Sequence, residues 1–454
     1  MKKKTFVKVI TYILLYAYTV TILSSTVMLS QMPVESTAIT LIRTVIIFFA
    51  STLLFKYTLY MLLSPWYEPI MRRRFRQLAP RLATYRPLVS VIIPAWNEEV
   101  GLLGTIKTIL NNNYSPLEIV VVNDGSTDRS DEIMRNFLQA YERATQGIEN
   151  RPTLIYHYQQ NGGKGSALNT GIRLSHGEII LSVDADCIVD QDCVRNYVRY
   201  FADPQVMAAV GNVKIGNTGT LVGTIQHLEY LFSFYFKKAD ALMNTIYIIG
   251  GAAGAFRREV FNRVGLYSTT NITEDIELSV RIQKAGMKIV YCPDAVIITE
   301  GASSLKGLMK QRLRWKRGRF ETFLQHRDLF FSCKRRHNKL LTWFILPMAL
   351  FGDVQLGFEL LFIMVLYLFA LFSHDFSAFI SGILVVSLIF FIQLFDDQGK
   401  YKKHPAYLLL APIGWVLFYL TTIVEFNALV RSLWGLLLKK ELKWQKWRRT
   451  GAID

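Results

Sequence analysis

Asp184 and Asp186 stand two residues apart at the end of the apolar run EIILSV. Strand side chains alternate faces, so on a continued strand both carboxylates would point the same way. Two like charges held side by side repel each other unless a cation or a proton lies between them. An EF-hand loop is excluded: counted from Asp184, the sixth position is Val189 rather than Gly and the twelfth is Arg195 rather than Glu. What remains is a pair of hard oxygen ligands, suited to Mg²⁺ or Mn²⁺ shared with a diphosphate.

Other motifs carry complementary chemistry. PAWNEE supplies Glu98, NDGSTD supplies Asp124, and NGGKGSALNTG offers a tight Gly162–Gly163 turn with Lys164 to meet a phosphate. GGAAGAFRRE, from Gly250, lets backbone approach a ligand closely, or simply lets a helix pack on a sheet. TEDIEL sets Glu274 and Asp275 at a predicted helix start with Thr273 as its cap, and an ordinary capping box would give the same pattern. KQRLRWKRGRFETF follows, with Leu305, Leu308, Met309, Leu313, Phe320, Phe323 and Leu324 on one stripe. That pattern predicts an amphipathic basic helix at a membrane surface.

The elements that must position these groups alternate. LVSVIIP, LEIVVVN, TLIYHY and EIILSV read as strands, followed by helices from about Glu98, Asp128, Gly165 and Asp192. Continuous apolar strands between amphipathic helices predict a parallel sheet covered on both faces, with ligands outside its carboxyl ends. Those ends carry PAWNEE, NDGSTD and DADC, so Glu98, Asp124, Asp184 and Asp186 should converge on one edge. A dinucleotide-binding domain is disfavoured, because Glu98 and Glu99 occupy the place of its glycine-rich turn.

The flanks are of a different kind. Phe6–Ser30 and Ala38–Ser64 are each long enough to cross a bilayer, and another apolar block fills most of Leu340–Leu438. The first span is longer than a typical signal-peptide core and lacks a convincing cleavage site, so a retained helix is expected. MKKK, MRRRFRQ and CKRRHNK flank these spans, whereas QMPVEST between the first two has no Lys or Arg. The positive-inside rule then sets the centre in the cytoplasm and accounts for much of the net charge of +17. No basic stripe interleaved with stacking aromatics is present, so nucleic acid is not an expected partner. Cys187, Cys193, Cys292 and Cys333 show neither metal-ligand spacing nor a disulfide framework. At the C-terminal end, Ala406–Leu438 reads as one long helix broken near Pro412. Basic loops on both of its sides require either a hairpin there or one exception to the rule.

In order, PAWNEE, NDGS, GGKGSALN, DAD, GGAAGAFRR, TED and QRLRW make the chain resemble the membrane-embedded processive family 2 β-glycosyltransferases, the synthases of poly-N-acetylglucosamine, hyaluronan, chitin and cellulose. The resemblance runs from about Val89 to Phe320. It departs from the group's usual pattern at Asn123, where the first Asp of DDGS is common, and at Trp96, where Tyr is common. The implied fold is α/β: a cytosolic nucleotide-sugar-binding GT-A-like domain with a mostly parallel sheet, flanked by transmembrane helices and an interfacial helix. The implied organisation is two membrane helices in 1–70, the catalytic domain in 71–303, the interfacial helix in 304–338, membrane helices in 339–438 and a basic tail in 439–454.

The resemblance also implies roles. Pro94, Glu98, Asp124, Lys164 and Asp184 would bind the UDP-sugar, and Asp186 would bind the metal. Asp275 would be the general base, with Glu274 beside it. Gln311, Arg312, Arg314 and Trp315 would hold the acceptor terminus and the leaving diphosphate. The short two-span N-terminal arrangement is most similar to bacterial poly-β-1,6-N-acetylglucosamine synthases, which implies UDP-N-acetylglucosamine as donor, a biofilm polysaccharide as product and the inner membrane as location. Hyaluronan-, chitin- and cellulose-type products, and a non-processive enzyme acting on a lipid acceptor, remain alternatives. The resemblance leaves room for a small membrane partner subunit.

Overall fold

Val89, Val91 and Ile93 of the first strand enter one hydrophobic cluster, and Ile92 enters another on the opposite face. This period-2 partition makes β1 (Val89–Ala95) the centre of a sheet covered on both sides. The protein is seen in a computed structural model that describes residues 55–374, 376–397, 407–410, 414–440 and 442, with 10, 12–18, 20, 24, 48 and 52 nearer the N-terminus. Most of the expected first span and much of the second, the basic loop at 398–406 and the tail beyond 442 therefore lie outside the described residues.

Helices α1 (Tyr67–Gln77) and α2 (Ala79–Thr84) lead directly into β1. Then come α3 (Leu102–Leu110), β2 (Leu117–Asp124), α4 (Ser130–Ala144), β3 (Thr153–Gln159), α5 (Lys164–Leu174), β4 (Ile179–Ser182), β5 (Cys187–Val189) and α6 (Cys193–Phe201). The second half adds β6 (Val206–Ile215), α7 (Leu221–Met243), β7 (Gly254–Arg257), α8 (Arg258–Val264), α9 (Glu274–Lys284), β8 (Lys288–Thr299) and α10 (Leu305–Gln325). Last are α11 (Leu346–Ser373), α12 (Ser377–Asp396), α13 (Tyr407–Leu410) and α14 (Gly414–Leu437).

The strands form one sheet in the order β3-β2-β1-β4-β7-β6-β8-β5. β1 pairs in parallel with β2 and β4, and β2 with β3, so the expected parallel half is present. The other half is mixed: β7 runs antiparallel to β4 and β6, and β5 antiparallel to β8. GAFR is only four residues long and opens with Gly254, too short to show its pairing through periodicity.

Two expectations of local structure change. α3 starts at Leu102 rather than near Glu98, because Asn97 adopts a left-handed backbone (φ 56°) and the chain turns before the helix begins. β4 ends at Ser182, so Asp184 and Asp186 sit on the turn before β5 and not on an alternating strand.

Among the described residues, Leu341–Phe372 and Val416–Leu437 are long and apolar enough to cross a bilayer, with mean hydropathies of 2.2 and 1.4. Helix is found on both sides of Pro412, which itself lies outside the described residues. A third hydrophobic cluster, including Tyr60, Tyr235, Phe236, Ile276, Phe323, Leu341 and Ile392, joins the first of these spans and α12 to α7, α9 and α10.

Candidate active site

The loops at the carboxyl ends of β1 and β2 lock together. Asn97 Oδ1 accepts the Thr127 N–H (2.7 Å), and the Glu98 N–H donates to Ser130 Oγ (2.9 Å). Asn123 bridges Tyr156 and the Ser126 N–H, which fixes the turn and keeps Asn123 out of the cavity described below. Gly125 has φ 69°, and a Cβ there would lie 2.7 Å from the Asn161 backbone nitrogen. Asp124 receives hydrogen bonds from Gln159 Nε2 (2.7 Å), the Gly162 N–H (2.9 Å) and the Gly163 N–H (2.8 Å). Its carboxylate thus shapes the glycine turn that delivers Lys164 at the start of α5.

The Asp184–Asp186 turn is clamped from below by α3. Thr105 Oγ1 donates to the Ala185 carbonyl (2.8 Å) and accepts the Cys187 N–H (3.1 Å), while Gly101 leaves room for the backbone of Asp186. Lys164 Nζ lies 2.5 Å from Asp184 Oδ1 and 3.8 Å from Glu274 Oε1. Burial works against the Lys164 charge, but Asp184, Glu274 and Asp275 outweigh it and hold the ammonium well above its ordinary range. Burial pushes the Glu274 carboxyl up to about 7; Lys164 opposes this and Asp275 adds to it.

Asp275 is oriented by backbone on both sides: Oδ2 accepts the Gly251 N–H (2.9 Å) and Oδ1 the Ile276 N–H (2.8 Å). The Gly251 carbonyl in turn accepts from Ser182 Oγ (3.0 Å). A Cβ at Gly251 would stand 2.8 Å from Lys164 Nζ and 3.5 Å from Asp275 Oδ2, so the absence of a side chain there leaves room for the ammonium. The capping-box alternative does not hold. Thr273 makes no side-chain cap; its hydroxyl donates to Asn271 Oδ1 (3.2 Å).

All twelve expected residues line one cavity of about 810 Å³: Pro94, Glu98, Asp124, Lys164, Asp184, Asp186, Glu274, Asp275, Gln311, Arg312, Arg314 and Trp315. The QRLRW helix forms its far wall, in a setting that differs from the expected surface helix. Of the expected apolar stripe, Leu308 and Leu313 are buried within the protein, whereas Leu305 and Leu324 are exposed. The basic residues face inward. Arg312 pairs with Glu229 of α7 (2.5 Å), Lys316 with Glu425 of α14 (2.7 Å) and Asp353 of α11 (3.2 Å), and Arg319 with Asp353. These charges compensate one another in a desolvated seam between the catalytic half and the apolar helices, where an unpaired cation would be costly. Burial pushes the Glu229 carboxyl upward, against the pull of Arg312. The Arg312 guanidinium also covers the Trp315 ring at 4.4 Å. Gln311, 6% exposed, has a carboxamide oxygen without a hydrogen-bond partner among the described residues, as a sugar hydroxyl would satisfy.

Sequence reasoning missed Glu229 and Glu425, which both line the cavity. Glu425 carried a usable signal, since an ionisable residue within an apolar span has a functional reading by default. Glu229 had none, lying in a long helix with no recognisable motif.

The donor set fits a hard divalent cation: carboxylates at 184 and 186, one already drawn to a cation, on a cavity without thiol or imidazole in its lining. Among the described residues no group of three or more His, Cys, Asp or Glu side chains is arranged to hold a metal ion, so a cation here would draw further oxygens from its ligand.

Residues 86–318, just over half of the chain, match the model of the glycosyltransferase like family 2. The chain belongs to this family. The acidic edge of the cavity, from Glu98 to Asp275, lies within the matched residues. Among curated relatives, the poly-β-1,6-N-acetyl-D-glucosamine synthase of Staphylococcus aureus is 32% identical over 250 residues, 55% of this chain. The matched part spans 58% of that relative's length. The synthase of the same name from Staphylococcus epidermidis is 28% identical over 329 residues, covering 70% of this chain and 76% of the relative. A mannosyltransferase from Pyrobaculum calidifontis, solved with GDP-Man and Mn²⁺, covers 85% of this chain and 99% of its own at 20% identity and a TM-score of 0.51. That likeness supports a GT-A-like fold.

Proposed function

We propose that this glycosyltransferase is a processive, inverting synthase that polymerises UDP-N-acetylglucosamine into poly-β-1,6-N-acetylglucosamine and passes the chain across the membrane. The observation that carries the reading is the position of Asp275, in one cavity with the acidic donor edge and the QRLRW helix. The names of the staphylococcal relatives support the choice of sugar and linkage.

In this reading the donor lies along Pro94, Glu98, Asp124 and Asp184. The acceptor terminus rests on Gln311 and Trp315. Asp275 takes the proton from the acceptor hydroxyl as its oxygen bonds to the anomeric carbon, and the bond from that carbon to UDP breaks on the opposite face, inverting the centre. Lys164 and Arg314 offset the charge gained by the departing diphosphate. Asp186, with Asp184 beside it, would hold Mg²⁺ or Mn²⁺, which when bound supplies further positive charge at the diphosphate. Backbone donors fix the Asp275 carboxylate in place, as a general base requires. The apolar helices α11 and α14, carrying Asp353, Glu359 and Glu425, give a polar polymer a path through hydrocarbon.

A donor screen of the purified chain, followed by linkage analysis, tests the proposal. Long β-1,6-linked product from UDP-N-acetylglucosamine is expected. Singly glycosylated lipid would replace it with the non-processive reading, and another sugar or linkage would reassign the product.

A further inference from the structure

Glu229 lies outside every recognised motif, yet it meets Arg312 Nη2 at 2.5 Å on the cavity wall. Arg312 is itself 7% exposed and stacks on Trp315, while its Nε faces Glu425 Oε1 at 3.5 Å. A guanidinium has one plane and a fixed fork of donors, so holding its edge with carboxylates fixes the orientation of its face. The same guanidinium lies over the indole, with its Cζ 4.4 Å from the ring centroid. Arg314, two residues on, also lines the cavity and acts electrostatically on Glu274.

We infer that Glu229 is a positioning residue of the acceptor site, setting the Arg312 guanidinium so that it holds the Trp315 ring as a platform for the acceptor sugar. Arg312 then serves the platform, and Arg314 is left to face the diphosphate. Glu425 braces Arg312 from α14 and pairs with Lys316 one turn further along α10, so the platform is tied to an apolar helix as well as to the catalytic half. The inference rests on the synthase reading, because a platform for a sugar chain presupposes a saccharide acceptor.

The test uses the purified full chain, UDP-N-acetylglucosamine and a β-1,6-linked N-acetylglucosamine pentasaccharide as acceptor. Glu229→Gln should raise the acceptor KM at least about tenfold and leave UDP binding within about twofold, a split that general loosening of the fold would not give. Glu229→Asp keeps the charge and should restore part of the loss; it also serves if the Gln variant accumulates poorly. In the double variant with Arg312→Gln, the second substitution should add little, since both remove one linkage. Multiplicative losses, or parallel weakening of UDP and acceptor, would overturn the inference. Wild-type enzyme that binds UDP yet transfers to no saccharide would overturn the synthase reading and the platform with it.

Discussion

Gly318 of α10 lies directly against Thr273, the residue before the Glu274–Asp275 pair, with no room for a Cβ between them. The wall that carries QRLRW therefore touches the segment leading into the proposed base at this glycine. Asn271 Nδ2 donates to Thr322 Oγ1 (3.1 Å) one turn on and ties the same two elements.

Gly318→Ala should push α10 away from the base. Overpacking of this kind costs about 1–3 kcal/mol. A lower thermal midpoint and reduced transfer, with UDP binding retained, are expected. Adding Thr273→Ala removes the two nearest colliding atoms, Oγ1 and Cγ2, and should recover part of both; no recovery would deny the contact its role.

Asp275→Asn retains shape but cannot accept a proton. Since general-base catalysis contributes about 10²- to 10⁴-fold, turnover should fall at least about a hundredfold. UDP affinity should stay near that of the wild type in calorimetry. Near-normal turnover would shift the base to Glu274 or elsewhere, and lost UDP binding would move Asp275 to the donor site.

Glu274 gives stability a particular dependence on pH. Its carboxyl is raised in the fold to about 7, chiefly by burial, so the folded state binds this proton more tightly than the unfolded chain does. The contribution is full at low pH and is lost as pH rises through about 7. Glu274→Gln should remove it, so the midpoint of the wild type should decline relative to the variant as pH rises from the ordinary carboxylate range to about 7. Parallel curves would assign the slope to other groups.

Asp186→Ala should abolish transfer and make UDP binding insensitive to Mg²⁺ or Mn²⁺. Unimpaired synthesis in EDTA, or in this variant, would refute a metal-bridged donor.

The sequence by itself determined the parallel half of the sheet and the residues at its edge. That information is local: unbroken β-branched runs predict buried parallel strands, and each run ends in a short polar segment whose position on the sheet follows from strand direction. It also determined the ordered motifs by which the family is recognised, and the apolar spans, whose length alone carries their meaning. Only the tertiary structure decided that Asp124 spends its carboxylate on the glycine turn, that Asn123 leaves the cavity, and that Thr273 does not cap its helix. Each depends on which loop faces it across the sheet edge. The basic helix shows the limit most clearly. Its composition indicates a surface, but Glu229, Asp353 and Glu425 arrive from three distant helices and turn its cations inward. A charge pattern gives the need for partners, and only packing of separate elements says whether water, lipid headgroups or carboxylates meet that need.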